Sequence, residues 1–177
     1  MSWSNHAVFL LKMPAHNLLD RYATEQFPWA NLQLAVGKDA SGCFDLPSSS
    51  PDFGRPISAY YFWVFPNTML NFYPWGLSVN VIKPIGQDLT RVSFLGYAWR
   101  PELMDQGAGA DLDRVEREDE VVVELVQKGV RSRLYDRGRY SHTREQNVHQ
   151  FHRLLAREIG AWPSSEPADS SCRRTRQ

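Results

Sequence analysis

"ISAYYFWVFPNTMLNFYPWGLSVNVIKPIGQDLTRVSFLGYAW", residues Ile57 to Trp99, decides the fold. Four aromatic and β-branched runs, ISAYYFWVFP, TMLNFYP, GLSVNVIKP and TRVSFLGYAW, are punctuated by Pro66-Asn67, Pro74-Trp75-Gly76 and Pro84-Ile85-Gly86. β-branched and aromatic side chains suit a pleated surface, and turn residues at this spacing join neighbouring strands, so the stretch predicts an antiparallel meander. Leu77, Val79 and Val81 alternate with Ser78 and Asn80. That pattern predicts one face turned to a core and one more polar.

Upstream, NLQLAV (Asn31 to Val36) reads as the first strand region, set off by the loop LPSSSPDFGRP. Residues 1–20 show no clean period. Downstream the period changes to that of helices. MDQGAGAD forms a flexible lead-in, Asp111 or Asp113 is placed to cap a helix running to about Val130, and YDRGRYS breaks it. A second helix is expected from Thr143, with Gln146 placed for a capping box and Val148, Phe151, Leu154, Leu155 and Ile159 as its apolar stripe. The tail PSSEPADSSCRRTRQ is polar and reads as disordered. Strands first and helices last give an α+β domain, an antiparallel sheet closed by helices on one side.

The 177 residues are 42% hydrophobic, which suits a single core, and 20 basic residues balance 20 acidic ones. That balance argues against nucleic acid or an anionic membrane as partner and favours a small molecule or another protein. AVFLL (Ala7 to Leu11) is too short to span a bilayer and lacks a cleavage site, so the expected location is the cytoplasm. Cys43 and Cys172 suggest neither a disulfide framework nor a Cys-rich metal site.

Winding the first helix at about 100° per residue gathers Val115, Val121, Val122, Leu125, Val126 and Val130 on one arc, and Asp113, Glu116, Arg117, Glu120, Glu124, Lys128 and Arg131 on the other. Glu118 and Asp119 fall inside the apolar arc. A buried carboxylate needs a cation, hydrogen-bond donors or a metal, or else it takes up a proton. An arginine from RSRLYDRGR could pair with these acids; alternatively Asp119, deeper in the arc, is a metal ligand or catalytic group facing a pocket under the aromatic sheet. His149 and His152 are spaced to share a helix face near His142, but they flank the apolar stripe and read as packed or solvated. GAGADL lacks the strand context of a nucleotide-binding loop and reads as a hinge. The aromatic cluster from Tyr60 to Trp75 is core first and ligand cavity second.

CFDLP, AYYFWVFPNTMLNFYPWGLSVNVIKP, TRVSFLGYAW, GAGADLDRVEREDEVVVELVQKGVRSRLYDRGRYS and TREQNVHQFHRLLA closely resemble the C-terminal part of the Rieske-type aromatic ring-hydroxylating oxygenase α subunit, in the branch near choline and carnitine monooxygenases. The resemblance divides the chain into a divergent leader at 1–19, a catalytic-domain segment at 20–161 and a disordered tail at 162–177. It implies a helix-grip fold of the START-like kind, in which a curved antiparallel sheet is closed by a long C-terminal helix, incomplete at its N-terminus. It also implies a mononuclear Fe(II) held by two histidines and one carboxylate. The carboxylate belongs to an Asp a little upstream of a "VQ.G" segment; before Val126, Gln127 and Gly129 the resemblance makes that residue Asp119, with Glu118 as a neighbour that pairs with or tunes the site.

The family's iron histidines precede the matching region, and Met13 stands where one would be expected; His6 and His16 do not reproduce the motif's surroundings. The Rieske domain's cysteine and histidine ligands for a 2Fe-2S cluster are absent from the sequence. The expectation is therefore the distal part of a catalytic domain, truncated or mis-started, inactive as an isolated chain. The intact enzyme would hydroxylate an aromatic or quaternary ammonium substrate with O2, by mono- or dioxygenation, fed by a reductase or ferredoxin, as a homotrimer. The alternative is an inactive fragment or a non-catalytic module binding a small molecule in a helix-grip cavity.

Overall fold

The computed structural model describes residues 22–160. The leader, the tail, His6, Met13, His16 and Cys172 lie outside the described residues. Six strands, β1 (Tyr22–Phe27), β2 (Ala30–Val36), β3 (Ile57–Val64), β4 (Thr68–Tyr73), β5 (Gly76–Pro84) and β6 (Thr90–Ala98), form one sheet. It is antiparallel throughout, in the order β1-β2-β3-β4-β5-β6. The turn signals Pro66-Asn67, Pro74-Trp75-Gly76 and Pro84-Ile85-Gly86 fall at the strand junctions as expected, with Gly76 opening β5 and Pro84 ending it. Gly76 is required at its turn, because a Cβ there would lie 2.1 Å from the Tyr97 carbonyl oxygen. Strand β1 extends the sheet upstream of the expected start; YATEQF is polar and largely exposed, so no apolar alternation marks it.

The helices are α1 (Leu112–Val130) and α2 (Gln146–Gly160), preceded by 3-10 turns at Pro101–Leu103 and Gly107–Gly109. Asp111 occupies the α1 N-cap position with left-handed backbone but makes no capping hydrogen bond; it pairs instead with Arg114 at 2.6 Å. The capping box expected between Thr143 and Gln146 does not form, because the helix begins later. Glu145 reaches back instead to accept from the Ser141 N–H at 2.6 Å, and Gln146 donates to the His142 carbonyl at 3.0 Å. Helix α2 is held on the first hairpin by Gln26, which donates to the Gln146 carbonyl at 2.9 Å, and by Gln150, which donates to the Phe27 carbonyl at 2.6 Å. Arg157 stacks over the Trp29 ring at 4.5 Å, and Phe151 meets Trp63 edge-on at 5.1 Å.

The sheet's polarity is the reverse of the expected one. Register places Asn31, Tyr61, Trp63, Met69, Asn71, Ser78 and Asn80 on one face, and both helices pack over it. Asn71, Ser78 and Asn80 are buried, while Leu77, Val79 and Val81 point to the other face and remain partly accessible. Part of that outer face is covered by the β2–β3 loop, whose Phe44 and Leu46 pack on Leu32, Leu34 and Ile57. A second core gathers Ala35, Ala59, Tyr73 and Trp75 beneath Leu103 and Leu112 on the helix side. Polar side chains are buried on that side because the helices stand over a cavity rather than directly on the strands.

Candidate functional site

A cavity of about 1100 Å³ lies between the helix-side face of the sheet and the two helices. Tyr61, Trp63, Tyr73 and Asn80 come from the sheet, Glu116, Asp119, Val123 and Gln127 from α1, and Asn147, Val148 and Phe151 from α2. Such a space, mostly apolar with a few converging polar groups, is the usual form of a small-molecule site.

The phase of α1 differs from the expected one. Val121 and Leu125 are 58% and 60% exposed, and Glu118 is exposed beside them. The side facing the sheet carries Leu112, Glu116, Asp119, Val123 and Gln127, in an i, i+3, i+4 progression. Asp119, at 6% exposure, is the one buried residue of the helix. The expectation that Asp119 faces a pocket under the aromatic sheet therefore holds, whereas burial of Glu118 and of the valine arc does not. The rotation follows from the cavity, which accepts carboxylates and an amide where a solid core would demand valines.

Glu116 was hidden in the sequence among the charged residues of the opposite arc. Its carboxylate accepts a long hydrogen bond from Asn80 Nδ2 at 3.5 Å, and the Asn80 Oδ1 accepts from the Ser78 hydroxyl at 3.1 Å. Asn80 is 1% exposed, so the chain Ser78–Asn80–Glu116 runs from the sheet interior to the cavity wall. The available signal was the polar pair Ser78 and Asn80 in an otherwise apolar strand. Burial raises the Glu116 pKa to about 7, reinforced by the Asp119 charge and opposed by the Asn80 hydrogen bond.

This shift has a pH consequence for the metal-free chain. The folded pKa, about 7, lies above the ordinary value of 4.5, so the folded state holds the proton more tightly. The contribution of Glu116 to stability is fully present below pH 4.5 and is lost as pH rises through 7. Glu116→Gln is expected to gain on wild type between pH 5 and pH 8 by about 1–2 kcal/mol, after discounting for solvent screening of a half-exposed side chain. Urea denaturation of both proteins at the two pH values measures this, and a pH-independent difference would contradict it.

The histidines of α2 lie elsewhere. Tyr140 packs against His149 at 5.1 Å between ring centres and hydrogen bonds to His152 Nδ1, in keeping with packed histidines. Cys43 is free and donates to the Asp39 carbonyl at 3.2 Å. No group of three His, Cys, Asp or Glu side chains that could hold a metal occurs among the described residues. Asp119 fits one position of a facial iron site, but the described residues by themselves do not fit the whole set. Among the described residues, no helix is long and apolar enough to cross a membrane.

Comparison with known proteins agrees with the architecture. The chain is 35% identical over 145 residues to the chloroplastic choline monooxygenase of Arabidopsis thaliana, covering 77% of this chain and 32% of that protein. With the Spinacia oleracea choline monooxygenase it shares 31% over 164 residues, covering 88% of this chain and 35% of that one. It thus spans about a third of the length of these curated relatives. The crystal structure of the quaternary ammonium Rieske monooxygenase CntA superposes with a TM-score of 0.61 at 22% identity, covering 88% of this chain and 46% of that one, and shows the same fold. The ring hydroxylating alpha subunit family (catalytic domain) matches residues 37–161. On that match and those relatives, the chain belongs to the ring-hydroxylating α-subunit family and carries the sheet-and-helix part of its catalytic domain.

Proposed function

We propose that this chain is the C-terminal part of a Rieske-type oxygenase catalytic domain, occupying residues 20–161, that oxidises a quaternary ammonium or aromatic substrate with O2 in its cavity. The observation that carries the reading is Asp119. It is the sole buried residue of α1, it faces the cavity, and it precedes Val126, Gln127 and Gly129 as the family's iron carboxylate does. In this reading Asp119 would be one of three protein ligands to a mononuclear Fe(II), the two others coming from outside the described residues. Ferrous iron would supply dioxygen activation when bound. The protein's own part is to hold the substrate against the aromatic wall and to exclude water beneath α1.

Electrons reach such a site from a 2Fe-2S cluster and a reductase or ferredoxin, which this reading places on other polypeptide segments or chains, with a homotrimer as the assembly and the cytoplasm as the location. A second reading, a helix-grip module that binds a small molecule without turning it over, draws support from the lack of a three-ligand group among the described residues. Dioxygen uptake separates the two. The full chain is combined with a polypeptide segment of the family that carries the histidine pair and the Rieske cluster, then given Fe(II), a reductant and choline, and oxidised product is sought by mass spectrometry. Iron-dependent product that requires both polypeptides is expected; choline binding with no product under any combination would leave the second reading.

A further inference from the structure

The two edges of the sheet are finished differently. Strand β1, at one end, has the polar sequence YATEQF, and α2 is fastened to it through Gln26 and through Gln150, which takes up the Phe27 carbonyl. Strand β6, at the other end, is nine residues long, runs along β5 without a bulge, and has no second neighbour among the described residues. Its sequence TRVSFLGYA contains one charge, Arg91, and no proline. Val92, Phe94, Leu95 and Tyr97 are all exposed, and Trp99, just past the strand, is 82% exposed. Edge strands are ordinarily kept from pairing by charges, prolines, bulges or shortness, and β6 has little of this protection.

The backbone of β6 fixes how a further strand can join. In an antiparallel ladder, residues alternate between exchanging hydrogen bonds with the neighbouring strand and turning them away from it. The Ile85 N–H donates to the Leu89 carbonyl and the Trp99 N–H to the Trp75 carbonyl, each at 2.8 Å, so the odd-numbered residues of β6 bond to β5. Thr90, Val92, Phe94, Gly96 and Ala98 therefore direct their N–H and C=O groups away from the sheet. A second β6, laid antiparallel about a two-fold axis at Phe94, answers every one of these groups: Phe94 meets Phe94, Val92 meets Gly96 and Thr90 meets Ala98.

The side chains agree with that register. Arg91 falls opposite Tyr97 of the second copy, a ring it can stack on, and not opposite another Arg91. Ser93 falls opposite Leu95, and beyond the strand ends the exposed Leu89 comes beside the exposed Trp99. Moving the axis by one residue in either direction shortens the overlap. We propose that two copies of this chain join through β6, antiparallel about a two-fold axis at Phe94, so that their sheets become continuous. The contact does not rest on the oxygenase reading. It is compatible with a homotrimer, because two-fold and threefold contacts combine in D3 symmetry.

Sedimentation equilibrium of the full chain should show a dimer at roughly 10 µM, or a hexamer where the homotrimer also forms. Val92→Pro removes an outward N–H and leaves the bonds to β5, so it should weaken the two-fold association at least about tenfold with the circular dichroism of wild type. Leu95→Lys changes only an exposed side chain; it should have the same effect, and it decides the matter if the proline variant does not fold. In a Cys43→Ser, Cys172→Ser background, a mixture of Ser93→Cys and Leu95→Cys chains should oxidise to cross-linked dimer far more readily than either chain alone. Only the Phe94 register sets these two positions directly opposite, about 4.5 Å apart at Cα. A wild type that stays monomeric or trimeric up to about 100 µM overturns the proposal, as does an even-numbered assembly that both variants leave intact. Cross-linking with no advantage in the mixture overturns it too. So does slow hydrogen exchange at the Val92, Phe94 and Gly96 amides of a monomer, which would mean that another segment of the same chain covers the edge.

Discussion

With Asp119 in its proposed role as an iron ligand, Asp119→Ala is expected to weaken Fe(II) binding by the full chain at least about 100-fold, because loss of a direct ligand would exceed the 10–100-fold loss that removal of a supporting partner brings. The side chain is buried, borders the cavity and supplies the charge that a divalent ion requires. Asp119→Asn keeps the size and separates charge from shape: it should bind iron almost as poorly, since a neutral amide is a weak ligand for a hard cation. Glu118→Ala is the control. Its carboxylate is exposed and about 100° round the helix from Asp119, so iron affinity should change far less. Anaerobic titration with metal analysis reads all three, and parity between Asp119→Ala and Glu118→Ala would remove Asp119 from the metal site.

The second large effect concerns the packing that sets the height and rotation of α1. Trp75 is 3% exposed and stacks on Tyr73 with ring centres 5.4 Å apart and planes 10° from parallel. Gly109, in the turn leading to α1, lies so close to this pair that a Cβ would fall 2.2 Å from Trp75 Nε1 and 2.8 Å from Tyr73 Cγ. The Trp75 carbonyl also accepts the Trp99 and Arg100 N–H groups at 2.8 and 2.9 Å, tying the end of β6 to the same point. Trp75→Ala removes the platform and should cost about 3–5 kcal/mol. For a domain of this size that lowers Tm by roughly 6–20 °C. Trp75 Nε1 has no hydrogen-bond partner among the described residues, so Trp75→Phe breaks no hydrogen bond and should lose much less. Thermal unfolding followed by circular dichroism compares them; equal losses would show that ring stacking is not what holds the turn.

How far these features could be read in advance depended on whether local chemistry and tertiary context agreed. The β3 to β6 meander was legible because proline- and glycine-bearing turns stop each run and the runs themselves suit strands. Strand β1 was not, because YATEQF is a mostly exposed edge and carries no apolar period. Both amphipathic readings, of β5 and of α1, assumed that apolar faces turn inward. Here a cavity reverses that rule: Ser78, Asn80, Glu116 and Asp119 face inward while Val121 and Leu125 face out. Asp119 was visible as an acid among valines and by its place before VQKG. Glu116 was invisible, because on a helical wheel it joins Glu120, Glu124 and Arg117, and only the partner strand reveals that it meets Asn80. A sequence carries the period of a helix more plainly than its rotation, which is fixed by what lies opposite.

The central claim is that Asp119 holds iron within this cavity. An anomalous-difference map at the iron absorption edge, from crystals of the full chain grown anaerobically with Fe(II), tests it most directly. The account predicts one strong peak between α1 and the sheet, within coordination distance of an Asp119 carboxylate oxygen. A peak bound elsewhere, or an Asp119 carboxylate bearing no metal at saturating iron, would contradict it.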